Sequence, residues 1–189
     1  MPHNPAMPAN VEIKARITSV EALLPLASAL GDDEHPQLIH QDDTFFAVPH
    51  GRLKLRVFGD GSGELIHYHR PDAHGPKLSD YVLAPAPEPE SVREALTRAC
   101  GQLGRVRKAR ILVLVGPTRI HLDRVEGLGD FLELEVTLAD GQTEAEGTAT
   151  AHALMARLGV APDQLVSGAY LDLLRAQASA APGAPPDEG

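Results

Sequence analysis

The side chains of this chain that could do chemistry are ionic, and they recur at every second position. Glu133 and Glu135 form a Glu-x-Glu pair. Lys14 and Arg16, then Arg52, Lys54 and Arg56, then Lys108 and Arg110 keep the same spacing, and Arg119 and Asp123 lie four apart. Successive side chains of a strand point to opposite faces, so each set falls on one face. Glu12 shares parity with Asn10, Lys14 and Arg16, while Val11, Ile13 and Ile17 take the other side. Carboxylates gathered from two strands are hard oxygen ligands, which select Mg²⁺ or Mn²⁺ rather than zinc. Arginines and lysines facing them would grip phosphate oxygens, guanidinium groups bidentately. A divalent ion among acids, opposite a crowd of bases, is the arrangement phosphoryl chemistry uses. The plain alternative is a solvated sheet face, which antiparallel sheets routinely present and which one Glu-x-Glu does not exclude.

These residues need strands to position them, and period-two alternation bounded by Gly, Pro or Asp predicts strands at 10–17, 44–48, 52–58, 64–70, 81–83, 107–115, 118–125 and 131–138. The Gly-Asp-Gly-Ser-Gly run at 59–63 reads as a hairpin turn. Helical patterns occupy 19–30, interrupted or kinked at Pro25, and 88–103, 143–158 and 162–176. The sum is an α+β fold with a mainly antiparallel sheet. The folded part is placed at 10–175, between a Pro-rich segment at 1–9 and an Ala/Pro tail at 176–189, both expected to be disordered.

Sorting charge by strand shows why the bland reading weakens. The strand set holds nine bases (Lys14, Arg16, Arg52, Lys54, Arg56, Arg70, Lys108, Arg110, Arg119) against four acids (Glu12, Asp123, Glu133, Glu135), although the chain as a whole carries a net charge of −9. A basic face on an acidic protein suits a polyanionic ligand. The acidic whole argues against nucleic acid as that ligand, and 4% aromatic content with no Trp argues against a base-stacking platform. Cys100 is the one cysteine, which excludes an intramolecular disulfide and a Cys-based zinc cluster. The sequence shows no secretory signal pattern and no membrane-length apolar run, so a cytoplasmic protein without membrane contact is expected. Phosphate-loop and nucleophile-elbow motifs are missing too. His67 and His69 share a face, but their parity is opposite to that of Tyr68 and Arg70, which assigns them to the exterior.

The same residues resemble the CYTH superfamily, the triphosphate tunnel metalloenzymes, and within it the class IV adenylyl cyclase-like branch. The segment 10–16 (NVEIKAR) is similar to the family's Glu-x-Glu-x-Lys strand. It is followed in family order by 51–56 (GRLKLR), 68–72 (YHRPD), 77–81 (KLSDY) and 106–110 (VRKAR), and by the long match at 118–135 (TRIHLDRVEGLGDFLELE). With 170–174 (YLDLL) the likeness spans about residues 10–174. It implies an eight-stranded antiparallel closed β-barrel with surrounding helices, a tunnel with the ionic face inside. Carried over position by position, Glu12, Glu133 and Glu135 are implied metal ligands for Mg²⁺ or Mn²⁺. Lys14, Arg16, Arg52, Lys54, Arg56, Arg70, Lys108, Arg110 and Arg119 are implied to cradle a triphosphate, ATP or tripolyphosphate. Lys14, Arg119 and Asp123 take the implied catalytic positions, Asp123 as an interior acid near the metal. Two departures stand out: Asn10 occupies the place of the signature's first glutamate, an amide being a weaker ligand than a carboxylate, and Ala109 interrupts a basic run.

The activity implied is that of a class IV adenylyl cyclase, ATP to cyclic AMP plus pyrophosphate. An alternative use of the tunnel is hydrolysis of inorganic triphosphate, a nucleoside triphosphate or thiamine triphosphate. A non-catalytic nucleotide or polyphosphate binding protein is the third reading, motivated by Asn10. The resemblance is compatible with a homodimer, though no stripe in the sequence marks an interface.

Overall fold

The computed structural model describes residues 10–32, 35–69 and 80–180. Eight strands form one antiparallel sheet: β1 (Asn10–Arg16), β2 (Gln37–Phe46), β3 (Arg52–Phe58), β4 (Gly63–His69), β5 (Asp80–Pro85), β6 (Gln102–Val115), β7 (Thr118–Val125) and β8 (Gly129–Thr137), in the order β1-β8-β7-β6-β2-β3-β4-β5. Four helices accompany them: α1 (Val20–Leu30), α2 (Pro89–Cys100), α3 (Glu144–Arg157) and α4 (Tyr170–Ala180). The α+β class and the eight antiparallel strands match expectation.

Parity decides which face meets the helices. The apolar members Ala15, Val113, Ile120, Leu122, Leu132 and Leu134 lie on the outer face against Leu23 and Ala27 of α1 and Leu154 and Met155 of α3. Leu55 and Phe46 pack beneath α2 with Val92 and Leu96. Ile120, Leu122 and Leu134 are completely buried, each worth about 1.5–3 kcal/mol relative to exposure. Local signals start and stop these helices. Ser19 accepts a hydrogen bond from the Ala22 N–H at the start of α1, Thr143 and Glu146 form a reciprocal capping box on α3, and Gly101 at φ 79° ends α2.

The inner face is strongly curved. On a flat sheet Lys14 of β1 and Arg52 of β3, five strands apart, would be separated by about 24 Å. Here Lys14 Nζ lies 3.2 Å from the Gly168 carbonyl and Arg52 lies 3.3 Å from Asp172, only four residues further along the chain.

Several expectations need correction. Strand β2 begins at Gln37 rather than 44: its outer residues His40 and Asp42 are polar and hide the alternation, while Gln41 and Asp43 face inward. Strand β6 begins at Gln102, and α1 carries Pro25 without interruption. The helix expected at 162–176 is a short 3₁₀ turn (Pro162–Gln164) followed by α4, which runs on to Ala180. The ring is not closed in the described residues: β1 and β5 are the two edges and share no ladder. The free edge of β1 is occupied instead by the segment before α4. The Val166 N–H donates to the Lys14 carbonyl (2.8 Å), the Gln164 side chain donates to the Arg16 carbonyl (3.0 Å), and Leu165 bridges Ala15. Backbone groups already bonded in this way cannot pair with β5.

Candidate functional site

The ionic side chains point inward. Residues directly opposite in an antiparallel ladder share a face, which puts Asp43, Arg56 and Glu64 in one row and Lys14, Glu133 and His121 in another. Glu12, Glu135 and Arg119 make a third row, and Arg16, Phe131, Asp123 and Arg110 a fourth.

Two buried carboxylates each organise a pair of bases. Asp43 Oδ1 accepts from Arg56 Nε (2.7 Å), and its Oδ2 accepts from Arg56 Nη2 (2.7 Å) and Lys54 Nζ (2.8 Å). Asp123, with no exposed surface, repeats the pattern with Arg110 (2.6 Å twice) and Lys108 (2.9 Å), and also accepts from the Tyr170 hydroxyl (2.9 Å). Burial alone would raise both carboxyls, but their cationic partners hold them below the usual range. Burial, then Arg110, pulls the Lys108 ammonium down to about 8 against the opposing pull of Asp123. Burial raises the Tyr170 phenol, keeping it a hydrogen-bond donor.

The acidic rows lie on β1 and β8. Burial works to raise Glu133, yet Lys14, Arg110 and Lys108 hold it ionised well below the normal range, with Arg110 at 3.1 Å. Glu135 accepts from the Asn10 amide (2.6 Å) and from Arg119 (3.0 Å) on a single oxygen, Oε1. Glu12 stands directly opposite Glu135. Like charges in that position destabilise a sheet unless something between them is positive.

Among the described residues, no three His, Cys, Asp or Glu side chains stand close enough together to hold an ion as placed. Glu133 and Glu135 are drawn instead to Arg110 and Arg119. The donor chemistry nevertheless fits a divalent cation. Three carboxylates come from facing registers, and two neighbouring buried atoms, Asn10 Oδ1 and His121 Nδ1, have no hydrogen-bond partner.

The expected site residues thus fall mainly on one inner face. Lys14, Arg52, Lys54, Arg56, Lys108, Arg110, Arg119, Glu12, Asp123, Glu133 and Glu135 share it. Arg16 has the same parity but is exposed, bonded to the Leu128 carbonyl (2.7 Å) and laid over the Phe131 ring. Arg70 lies outside the described residues. His67 is on the outer side as expected, 3.1 Å from the His50 carbonyl.

Sequence reasoning missed four participants. Asp43 was hidden by a strand begun too late, although extending the alternation back through Phe45 would have reached it. His121 sits between Arg119 and Asp123 at the same parity, a signal that was present. Tyr170, given no role in the site by the sequence, reaches Asp123 and lies under two ammonium groups, Lys14 Nζ at 4.2 Å and Lys108 Nζ at 5.1 Å from its ring centre. Asp172 pairs with Arg52.

A single curled antiparallel sheet, helices on its apolar outside and paired bases and acids within, defines the class of this protein. The chain belongs to the CYTH domain family, which residues 8–170 match. It is 25% identical over 170 residues to the adenylate cyclase CyaB of Aeromonas hydrophila, covering 86% of this chain and 87% of that one. Among solved structures, the PH1012 protein of Pyrococcus horikoshii OT3 superposes with a TM-score of 0.75 at 23% identity, covering 87% of this chain and 99% of that one. The PH1819 protein of the same organism gives 0.71 at 19%, covering 89% and 99%. These two likenesses concern the fold. No helix among the described residues is long and apolar enough to cross a membrane.

Proposed function

We propose that the chain binds a nucleoside triphosphate on its inner face and converts ATP to cyclic AMP and pyrophosphate. The observation that carries the binding is the arrangement of bases in pairs around one carboxylate each, Lys54 and Arg56 on Asp43, Lys108 and Arg110 on Asp123. The Asp43 group keeps one positive charge in excess, while in the Asp123 group Arg110 also faces Glu133 at 3.1 Å; both groups are oriented by their acids and partly withdrawn from water, where attraction for phosphate oxygens is strong. Lys14 and Arg119 extend this grip toward β1 and the rim. The kinship with a curated adenylate cyclase supports the choice of reaction.

Glu12, Glu133 and Glu135 would hold Mg²⁺ or Mn²⁺, which would supply neutralisation of phosphate charge during transfer. The chain's own residues do the rest. Arg56, Arg110 and their lysine partners fix the triphosphate, so that the ribose 3′-oxygen lies in line with the α-phosphorus. The 3′-hydroxyl gives up its proton to water, the new bond forms at that phosphorus as its bond to the bridging oxygen breaks, and the bases stabilise the departing pyrophosphate. Asp123 works through Lys108 and Arg110 as a positioning residue, since hydrogen bonds from Lys108, Arg110 and Tyr170 already occupy its carboxylate.

The aromatic residues favour a nucleotide over a bare polyphosphate. They are few, but Phe45, Phe58, Tyr68, Tyr81 and Phe131 all share the inner parity, and Tyr81 is 48% exposed at the open edge, where a base could stack.

Product analysis tests the proposal. The protein is incubated with ATP and, separately, with tripolyphosphate in the presence of Mg²⁺ or Mn²⁺. Cyclic AMP with pyrophosphate is the expected result. Orthophosphate without cyclic AMP would replace the reading with a triphosphate hydrolase, and tight ATP binding without turnover would replace it with a binding protein.

A further inference from the structure

His121 is the one inner-face histidine among the residues whose side chains are described, and it stands directly opposite Glu133 in the ladder between β7 and β8. It is 6% exposed, and its Nδ1 is sealed from solvent without a hydrogen-bond partner. Buried polar atoms are almost always satisfied, so an orphan on a functional face calls for a ligand from outside the polypeptide. A second orphan narrows the choice. Asn10 Oδ1 is also buried and unpartnered, on a side chain whose amide nitrogen donates to Glu135. The two orphans therefore flank the Glu133–Glu135 pair, one reached through strand register and the other through a hydrogen bond.

An anionic ligand oxygen would meet Glu133 beside His121 and be repelled, whereas a cation would be drawn by the carboxylates and could take the His121 lone pair. One imidazole nitrogen added to oxygen donors changes which cation is preferred. Mg²⁺ keeps to oxygen ligands, while imidazole suits later divalent ions, with Mn²⁺ accepting both donor types. The amide at Asn10 pushes the same way, because a neutral donor lowers the charge attraction on which Mg²⁺ depends.

We propose that His121 ligates the divalent ion of the Glu133–Glu135 cluster through its orphaned ring nitrogen and biases that site toward Mn²⁺ over Mg²⁺. This rests on reading the cluster as a metal site, and the experiment separates the two ideas. Mn²⁺ is titrated into the metal-free full chain and followed by electron paramagnetic resonance, and the bound ion is then examined by electron spin-echo modulation for coupling to nitrogen. The wild type is prepared unlabelled and with ¹⁵N-histidine, beside His121→Ala, His121→Asn and Glu133→Gln.

The expected result is a ¹⁴N coupling that changes with the ¹⁵N-histidine label and disappears in both His121 variants. Mn²⁺ affinity should fall roughly tenfold, about 1.4 kcal/mol, while Mg²⁺ affinity, measured by competition, changes little. The labelled wild type answers even if a variant fails to fold. Bound Mn²⁺ that depends on Glu133 but shows no histidine nitrogen would overturn the role of His121 and leave the metal site standing. Mn²⁺ binding indifferent to Glu133→Gln would overturn the metal site and this inference with it.

Discussion

Replacing Asp43 by Asn tests the central electrostatic argument most directly. The carboxylate of Asp43 receives three hydrogen bonds of 2.7–2.8 Å from Lys54 and Arg56, and all three side chains are largely buried. The substitution leaves two buried cations facing an amide that can accept at one atom only. Breaking a buried pair in this way costs about 3–5 kcal/mol, which for a chain of this length lowers Tm by roughly 6–20 °C. The same change removes a negative charge bound to both bases, so a polyanion should bind the variant at least as tightly as the wild type. Differential scanning calorimetry with and without tripolyphosphate, in the absence of metal, reads both effects. The variant should melt lower alone and gain more degrees from the ligand. The difference should also depend on pH. Lys54 and Arg56 hold the Asp43 carboxyl below its ordinary value of 3.8 despite burial. Its contribution is therefore complete above that value and is lost as the pH falls below it, so the gap between wild type and variant should narrow below about pH 4. A variant that melts with the wild type, or that gains less than the wild type from tripolyphosphate, would refute the pairing as the organiser of the phosphate grip.

Lys108, drawn down to about 8 by burial and by Arg110, should lose its charge across the mildly alkaline range. Tripolyphosphate affinity, measured by calorimetry without metal, should then fall more between pH 7 and 9 in the wild type than in Lys108→Arg, and parallel curves would contradict the assignment. At Gly147 in α3, a Cβ would meet Leu138 Cδ2 at 2.4 Å and Val11 Cγ2 at 2.7 Å. Gly147→Ala gains about 1 kcal/mol in helix propensity but forces an overpacked contact of about 1–3 kcal/mol. Urea denaturation should show a net loss, and a variant more stable than the wild type would sink that balance.

Alternation made the inner face legible wherever an apolar partner marked the other side. Leu53, Leu55 and Val57 revealed Lys54 and Arg56, and Leu132 and Leu134 revealed Glu133. It failed at 37–43, where the outer residues His40 and Asp42 are polar, so nothing in the pattern separated strand from loop. Asp43 was lost with that segment, and with it the reason the nearby bases are tolerable. Composition was silent about placement. A low aromatic count was read as a shortage of stacking partners, but all but one of the strand aromatics share the inner parity, and only register could show this. The contacts of the C-terminal segment were illegible for another reason. Tyr170, Asp172 and Gly168 meet Asp123, Arg52 and Lys14 across more than 45 residues of chain, and no local spacing encodes so distant a meeting.

Placing acids among the bases resolves a conflict that the sequence poses. A crowd of cations on one curved face would repel itself in the ligand-free protein, and burial would amplify the repulsion. A fully neutralised face would fold readily but have nothing left for a polyanion. A carboxylate at the centre of each pair of bases meets both demands: Asp43 and Asp123 each hold two cations at hydrogen-bond distance, so each group is ordered before the ligand arrives; the Asp43 group remains positive, while Arg110 of the Asp123 group is shared with Glu133. On β1 and β8 the balance is reversed, with Glu12, Glu133 and Glu135 concentrated beside two orphaned donor atoms. A ligand that is itself a phosphate chain carrying a cation matches that division, its anionic length along the paired bases and its metal at the acidic rows. Neither half of such a ligand would suit the whole face alone, so the protein should bind tripolyphosphate and Mn²⁺ cooperatively, each tightening the other by the same factor.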